Sequence, residues 1–215
     1  MLNMDFEKSI VITPDQQEWE ASPMAGVWRK RFAFEEKERG HATSVVRFDP
    51  GSRFSRHEHP LGEEIFVLSG VFSDESGDFP AGTYFRNPEG FAHAPHSDEG
   101  CELFVKLHQF KPEDSLRVCI DTHSADWSPG HGNSQVLPLH SFQGEQTALV
   151  KWPAGEKFIP HQHWSGEEIF VICGEFIDEH GRYPAGSWLR SPRPSSNHPL
   201  AEKDTIILVK TGHLA

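Results

Sequence analysis

Gly51-Ser-Arg-Phe-Ser-Arg-His57-Glu-His59-Pro-Leu-Gly-Glu63-Glu-Ile-Phe-Val-Leu-Ser-Gly70 is the stretch on which the reading of this chain turns. Side chains alternate across a strand, so His57 and His59, two residues apart on an extended segment, point to the same side of a sheet. Glu63 keeps the same odd parity beyond the Pro60-Leu61-Gly62 interruption. His93 arrives later, from what should be a neighbouring strand. Three imidazoles and one carboxylate suit Zn²⁺, Fe²⁺, Mn²⁺ or Ni²⁺, and no thiolate is present to favour a softer ion. A hydrogen-bonded polar cluster is the competing account. It would bury four ionisable groups without a compensating charge, which is costly in a small barrel.

The same stretch occurs twice. Gly155-Glu-Lys-Phe-Ile-Pro-His161-Gln-His163-Trp-Ser-Gly-Glu167-Glu-Ile-Phe-Val-Ile-Cys-Gly174 repeats it at an offset of 104 residues. Laid without a gap on 147–210, residues 43–106 show 25 identities in 64 positions, concentrated on His, Glu, Gly and Pro. Periodic turn chemistry of this kind marks a tandem of one domain with itself. The division expected is a first domain over 1–110, a linker over 111–135 rich in Pro and Gly, and a second domain over 136–215. The gap-free alignment sets Asn197 opposite His93, with His198 one residue on. A bulge in the turn, where Arg193 and Pro194 replace Glu89 and Gly90, would swing His198 inward. The candidate ligands are therefore His57, His59, Glu63 and His93 in the first repeat, and His161, His163, Glu167 and His198 in the second.

Composition narrows the function classes. A formal charge of −12 argues against a nucleic-acid surface, which needs clustered Lys and Arg. The one short basic run, Arg29-Lys30-Arg31, alternates into a strand-like segment and reads as a solvated strand face. Cys101, Cys119 and Cys173 are odd in number and form no Cys-x-x-Cys pair, as expected of a reduced cytoplasmic protein. The N-terminus carries no basic segment followed by an apolar one, and no apolar run approaches membrane-spanning length.

Short β-type runs broken by Gly, Pro, Asn and Asp fill the chain from Val27 onward, with almost no helical periodicity; only Asp15–Trp19 suggests a helical turn. Thr43–Phe48, Thr83–Arg86 and Leu103–Leu107 read as strands. Glu64–Leu68, with apolar residues at successive positions, reads as a strand covered on both faces. Glu64 and Glu168 point away from the candidate ligands, towards a salt-bridged or solvated role. Arg86 and Arg190, present in both repeats, are expected in structural ion pairs. The pattern is an all-β barrel or sandwich.

These residues resemble the cupin superfamily. Its first motif, G-x5-H-x-H-x3-E-x6-G, is met by Gly51, His57, His59, Glu63 and Gly70, and again by Gly155, His161, His163, Glu167 and Gly174. Its second motif is met by Gly82, Pro88, Gly90 and His93, with Ser97 in the final Asn place. Within cupins, Glu-Glu-Ile-Phe-Val-Leu-Ser-Gly followed by Phe-Pro-Ala-Gly-Thr-Tyr is similar to the cupin-like domain of ChrR, an anti-sigma factor. The resemblance implies two tandem cupin barrels (double-stranded β-helix, or jelly roll) and a divalent metal, Zn or Fe before Mn or Ni. It implies a regulator or sensor role for a metal-binding bicupin. The zinc-binding anti-sigma domain of ChrR has no counterpart in the quoted residues, so the resemblance does not carry a sigma-factor partner. The rival expectation is a non-haem Fe(II) dioxygenase acting on a small chelating substrate such as a diketone. The partners expected are a small-molecule ligand and, at family level, a second copy of the chain, with neither nucleic acid nor membrane. No catalytic residue is assigned.

Overall fold

The structure, a computed structural model, describes residues 1–35, 40–157, 161–163, 166–192, 195–197 and 199–214, with the backbone alone at 161–163 and 195–197. Among these residues there is no α-helix; a single 3-10 turn spans Pro14–Gln16, where the helical turn was expected. Two compact all-β units form. The first comprises Met1–Met4 and Glu18–Ser124, the second Asp5–Gln17 and Ala125–Ala215.

In the first unit the main sheet runs antiparallel in the order Val118–Asp121, Thr83–Asn87, Glu63–Asp74, Cys101–Leu107, Ala42–Phe48, Val27–Phe34, Glu20–Ala21. Smaller pairings add His57–Glu58 to Ala92–His93, and His96–Ser97 to Ser52–Arg53. One face carries an apolar core of Val46, Phe48, Ile65, Val67, Phe72, Phe85 and Leu103, among others. In the second unit the order is Ile10–Ile12, Trp188–Ser191, Glu167–Cys173, Thr205–Thr211, Glu145–Trp152, Gln135–Phe142, Ser128–Pro129. Its core gathers around Trp152, Ile169, Val171, Phe176 and Ile207.

The segment expected as a linker over 111–135 carries two strands. Val118–Asp121 pairs in the first unit with Thr83–Asn87, and Ser128–Pro129 pairs in the second with Gln135–Phe142. Residues 5–17, assigned from sequence to the first domain, lie in the second unit, where Ile10–Ile12 pairs with Trp188–Ser191. The registers correspond: Val118 stands opposite Arg86 and Ile10 opposite Arg190. Ile10-Val-Ile12 and Val118-Cys-Ile120 are thus equivalent first strands, each placed on the unit built by the other repeat. Such an edge-strand placement depends on backbone pairing, which side-chain composition does not reveal.

Glu64 begins a cross-strand row on the buried face opposite the core. Lys106 and Arg86 flank it in register, and Thr43 lies beyond Lys106. All four are buried, so the solvated alternative for Glu64 does not hold; Tyr84 donates its hydroxyl to Glu64 at 2.8 Å. Arg86 does form the expected ion pair, with Asp114 at 2.8 Å, and its guanidinium lies 3.8 Å from the centre of the Phe110 ring. With both partners buried, removing one strands the other, a loss of about 3–5 kcal/mol. In the second unit Arg190 stands in register with Glu168, whose charge acts on it, and donates to the Asp5 carbonyl at 2.8 Å, with the Phe6 ring centre 4.7 Å away.

Candidate metal centre

Local backbone pairing assembles the first site. His57–Glu58 runs antiparallel to Ala92–His93 with His57 directly opposite His93, so the two imidazoles sit side by side with ring centres 5.3 Å apart. The chain then turns through Pro60-Leu61-Gly62, where Leu61 and Gly62 adopt φ of 59° and 73°. Glycine is required at 62: a Cβ there would meet Phe110 at 2.7 Å and the Asn87 carbonyl at 2.9 Å. Past this turn Glu63 enters the central strand with its carboxylate on the histidine side.

One nitrogen each of His57, His59 and His93 lies within 4.8 Å of the others. His57 Nε2 and His59 Nε2 are 3.1 Å apart, Glu63 Oε1 is 3.2 Å from His93 Nε2, and Glu63 Oε2 is 3.4 Å from His59 Nε2. Around an ion with bonds of ~2.1 Å, adjacent ligand atoms stand roughly 3.0–3.4 Å apart, so these four side chains fit a divalent cation. The second ring nitrogens of His57 and His93 are engaged as those of metal-binding histidines usually are. His57 Nδ1 faces the Ser55 carbonyl at 2.9 Å, and His93 Nδ1 faces Asp74 Oδ2 at 3.1 Å. That leaves His93 Nε2 buried without a hydrogen bond, aimed at the cluster. Asn87 Nδ2 donates to Glu63 Oε1 at 2.8 Å.

Electrostatics agree with this arrangement. Burial pushes the His59 imidazole down to about 3, and the charges of His57, His93, His108 and Arg29 act the same way, so its lone pair is available. Burial pushes the Glu63 carboxyl up. For His93, burial opposes the charged ring, but the Asp74 hydrogen bond and the Glu63 charge outweigh it and hold its pKa above the ordinary value. The Glu63 and His93 shifts both run towards holding a proton, the position a divalent ion would take.

The site opens into a cavity of about 370 Å³ with apolar walls that include Phe48, Phe72, Ile65 and Leu103. Arg29 and Arg31 also line it, which corrects the reading of their strand face as solvated. The alternating pattern was right, but that face closes over the barrel interior. Lys30, of opposite parity, lies over the Trp19 ring at 5.1 Å. His96 falls in the short strand His96–Ser97, its Nδ1 3.5 Å from the Ala94 carbonyl. Asp74, Asn87 and His108 belong to the site's surroundings but were not singled out in the sequence. Asp74 could have been, since Asp178 repeats it at the 104-residue offset.

The second repeat keeps the pairing. His161–His163 runs antiparallel to Ser195–Asn197 with His161 opposite Asn197, the same register as His57 and His93. His198 lies outside the described residues, as do Trp164, Arg193 and Pro194; of His161 and His163 only the backbone is described. Glu167 is buried, and burial, reinforced by the Asp178 charge, pushes its carboxyl up to about 7. Asp178 Oδ1 accepts from the Tyr183 hydroxyl at 3.0 Å and from the backbone of His180 and Gly181, the first of these backbone bonds matching that from Ser76 to Asp74.

The sequence profile of the ChrR cupin-like domain matches residues 7–111 and 115–215, and the chain belongs to that family. Solved structures share the fold at low identity. A candidate dioxygenase from Nostoc punctiforme PCC 73102 superposes with a TM-score of 0.78 at 14% identity, covering 95% of this chain and 82% of that one. The bacterial pirin YhhW from Escherichia coli, in complex with nickel(II), gives 0.73 at 14% identity over 95% and 98%. Bacillus subtilis oxalate decarboxylase, described with Mn(II) centres, gives 0.68 at 14% identity over 95% and 77%. No curated protein matches the chain by sequence. Among the described residues no helix is long and apolar enough to cross a membrane.

Proposed function

We propose that this member of the ChrR cupin-like family is a metal-binding bicupin whose first unit holds one divalent ion and presents it to a small ligand, as a sensor module would. The convergence of His57, His59, Glu63 and His93 at ligand-to-ligand spacing carries the reading. Zn²⁺ and Fe²⁺ are the leading ions, because imidazole with one carboxylate suits both. Four protein ligands leave an octahedral ion room for one or two more, and the cavity beside them has space for a ligand. The ion would supply Lewis acidity or redox chemistry. The protein orients the ligand, excludes water and, through Asp74 and Ser55, holds the His93 and His57 rings with their Nε2 atoms inward.

A second reading, a dioxygenase acting on a small chelating compound, is favoured by the same cavity and by the fold shared with the Nostoc protein. Metal analysis of protein purified without chelator, followed by oxygen-electrode measurements with Fe²⁺ and a panel of diketones, separates the two. Firmly held Zn²⁺ without oxygen uptake supports the sensor. Uptake dependent on Fe²⁺ and on one substrate supports the enzyme. Protein that retains no divalent ion under either condition refutes both. A cytoplasmic location, a homodimer and the absence of nucleic-acid and membrane partners remain part of this proposal.

A further inference from the structure

His108 occupies a backbone conformation that a side chain resists. It follows the strand Cys101–Leu107 and takes φ of 57°, the left-handed region that favours glycine. The 104-residue offset puts Gly212 in the same place, after Thr205–Thr211, with φ of 81°. Glycine is needed there, because a Cβ would run into the Gly144 carbonyl. The first unit keeps the left-handed turn but fills it with an imidazole. It is also the copy in which three imidazoles and a carboxylate converge.

The His108 side chain is only 8% exposed and lines the cavity, its ring centre 6.0 Å from that of His59. Its two nitrogens have different surroundings. Nδ1 meets the Pro60 carbonyl, which can only accept, so Nδ1 carries a proton and donates it. The main chain beside it holds the same turn: His108 N donates to the Gly62 carbonyl at 2.9 Å, and Phe110 N to the Leu61 carbonyl at 3.1 Å. With Nδ1 turned to Pro60, Nε2 is the nitrogen left for the cavity, and it has no hydrogen-bond partner among the described residues. In the neutral ring it is a lone-pair acceptor. An unmet acceptor in a buried wall costs free energy, so water or a bound ligand must supply the donor.

We propose that His108 determines specificity in this cavity: its Nε2 accepts a hydrogen bond from a small oxygen chelator that keeps an N–H or O–H beside its coordinating atoms. The assignment rests on reading the cavity as a metal-bearing ligand site, and it deepens that reading by naming the ligand class.

The test uses the full chain loaded with Co(II), its metal content checked by elemental analysis. Acetohydroxamate and N-methylacetohydroxamate are titrated in turn, read by calorimetry and by the visible Co(II) spectrum. The two probes offer the same pair of chelating oxygens, and only the first has an N–H. Wild type is expected to bind acetohydroxamate about five- to tenfold more tightly, the size of one neutral hydrogen bond. His108→Asn separates the two nitrogens: its amide can still donate to Pro60 and tolerates the left-handed backbone, but nothing remains in place of Nε2. It is expected to keep its Co(II) and to bind the two hydroxamates within about twofold of each other. Should it lose its near-ultraviolet circular dichroism, His108→Gly, with the residue of the second repeat, makes the same comparison. A role confined to holding the turn predicts a preference that survives in His108→Asn, and that result overturns the proposal. Equal binding of the two probes by wild type, or failure of acetohydroxamate to bind, overturns it too. A chain that takes up no Co(II) refutes the metal reading and this assignment with it. A loaded chain without the preference refutes this assignment alone.

Discussion

Arg117 donates from Nε to Asn87 Oδ1 at 3.1 Å, and Asn87 Nδ2 donates onward to Glu63 Oε1 at 2.8 Å. Arg117 immediately precedes Val118–Asp121, a strand that opens the second matched repeat yet pairs in the first unit. The carboxylate of the first candidate centre is therefore held, through one intervening amide, by a residue from the other repeat. A further bond to Ser76 Oγ at 3.0 Å and the Phe91 ring 4.3 Å away keep the guanidinium in place.

Truncating this support should be felt at the metal. Arg117→Ala is expected to weaken divalent-ion affinity by about 10–100-fold, the usual consequence of losing an outer partner of a ligand. The melting temperature of the chelator-treated protein should change little, because Arg117 is exposed. Chelator competition showing wild-type affinity would mean that Asn87 holds Glu63 unaided.

His59→Ala should remove the ion from the first unit altogether, and Asp74→Asn should weaken it while leaving the four ligands intact. Ligand binding stabilises the folded state by about 4 kcal/mol at a thousandfold excess over Kd, so metal-dependent melting reports both. The order expected for the metal-induced rise in Tm is wild type, then Asp74→Asn, then His59→Ala with none. A His59→Ala protein that keeps its full metal content and Tm would sink the first-site assignment.

Metal stoichiometry distinguishes the repeats. Asn197 takes the register position of His93, and an amide is a weaker ligand than an imidazole. One firmly held ion per chain is therefore expected, unchanged in Asn197→Ala. Two ions per chain, both retained in Asn197→Ala, would instead point to His198 as a ligand of the second repeat.

The three thiols should respond differently to alkylation. Cys101 is buried, and burial pushes its pKa up to about 11, whereas Cys119 and Cys173 are exposed. Native protein at pH 8 should label at Cys119 and Cys173, and at Cys101 only after unfolding. The same shift has a sign for stability. The folded state keeps the Cys101 proton to about 11 while the unfolded chain releases it near 9.0, so stability from this group is complete below pH 9 and lost as pH rises towards 11. Denaturant melts of wild type and Cys101→Ala between pH 8 and 11 should converge. Parallel curves would show that Cys101 does not titrate in this range.

Much of this was legible in order along the chain. The strand at Glu64–Leu68, which the structure extends to Glu63–Asp74, follows from its successive apolar residues, and the turn at Pro60-Leu61-Gly62 and the inward parity of His57, His59 and Glu63 from turn residues and period-two alternation. Arg29 and Arg31 show where that logic stops. Alternation put them on one face, but whether that face met water or the barrel interior depended on how the sheet closed. Asp74 and Asn87 likewise acquire meaning only from the groups they meet, 19 and 24 residues away in sequence.

By itself the sequence determined that one β-unit occurs twice, that each copy carries His-x-His-x3-Glu, and that the copies differ at Asn197, because these are local patterns of spacing and identity. Tertiary structure alone decided that Ile10–Ile12 and Val118–Asp121 pair on the units built by the opposite repeats, that Arg117 supports Glu63, and that Arg29 looks into the cavity. The physical reason is that backbone pairing at a sheet edge is nearly blind to side-chain identity. Which strand completes which edge is settled only when the whole chain is closed.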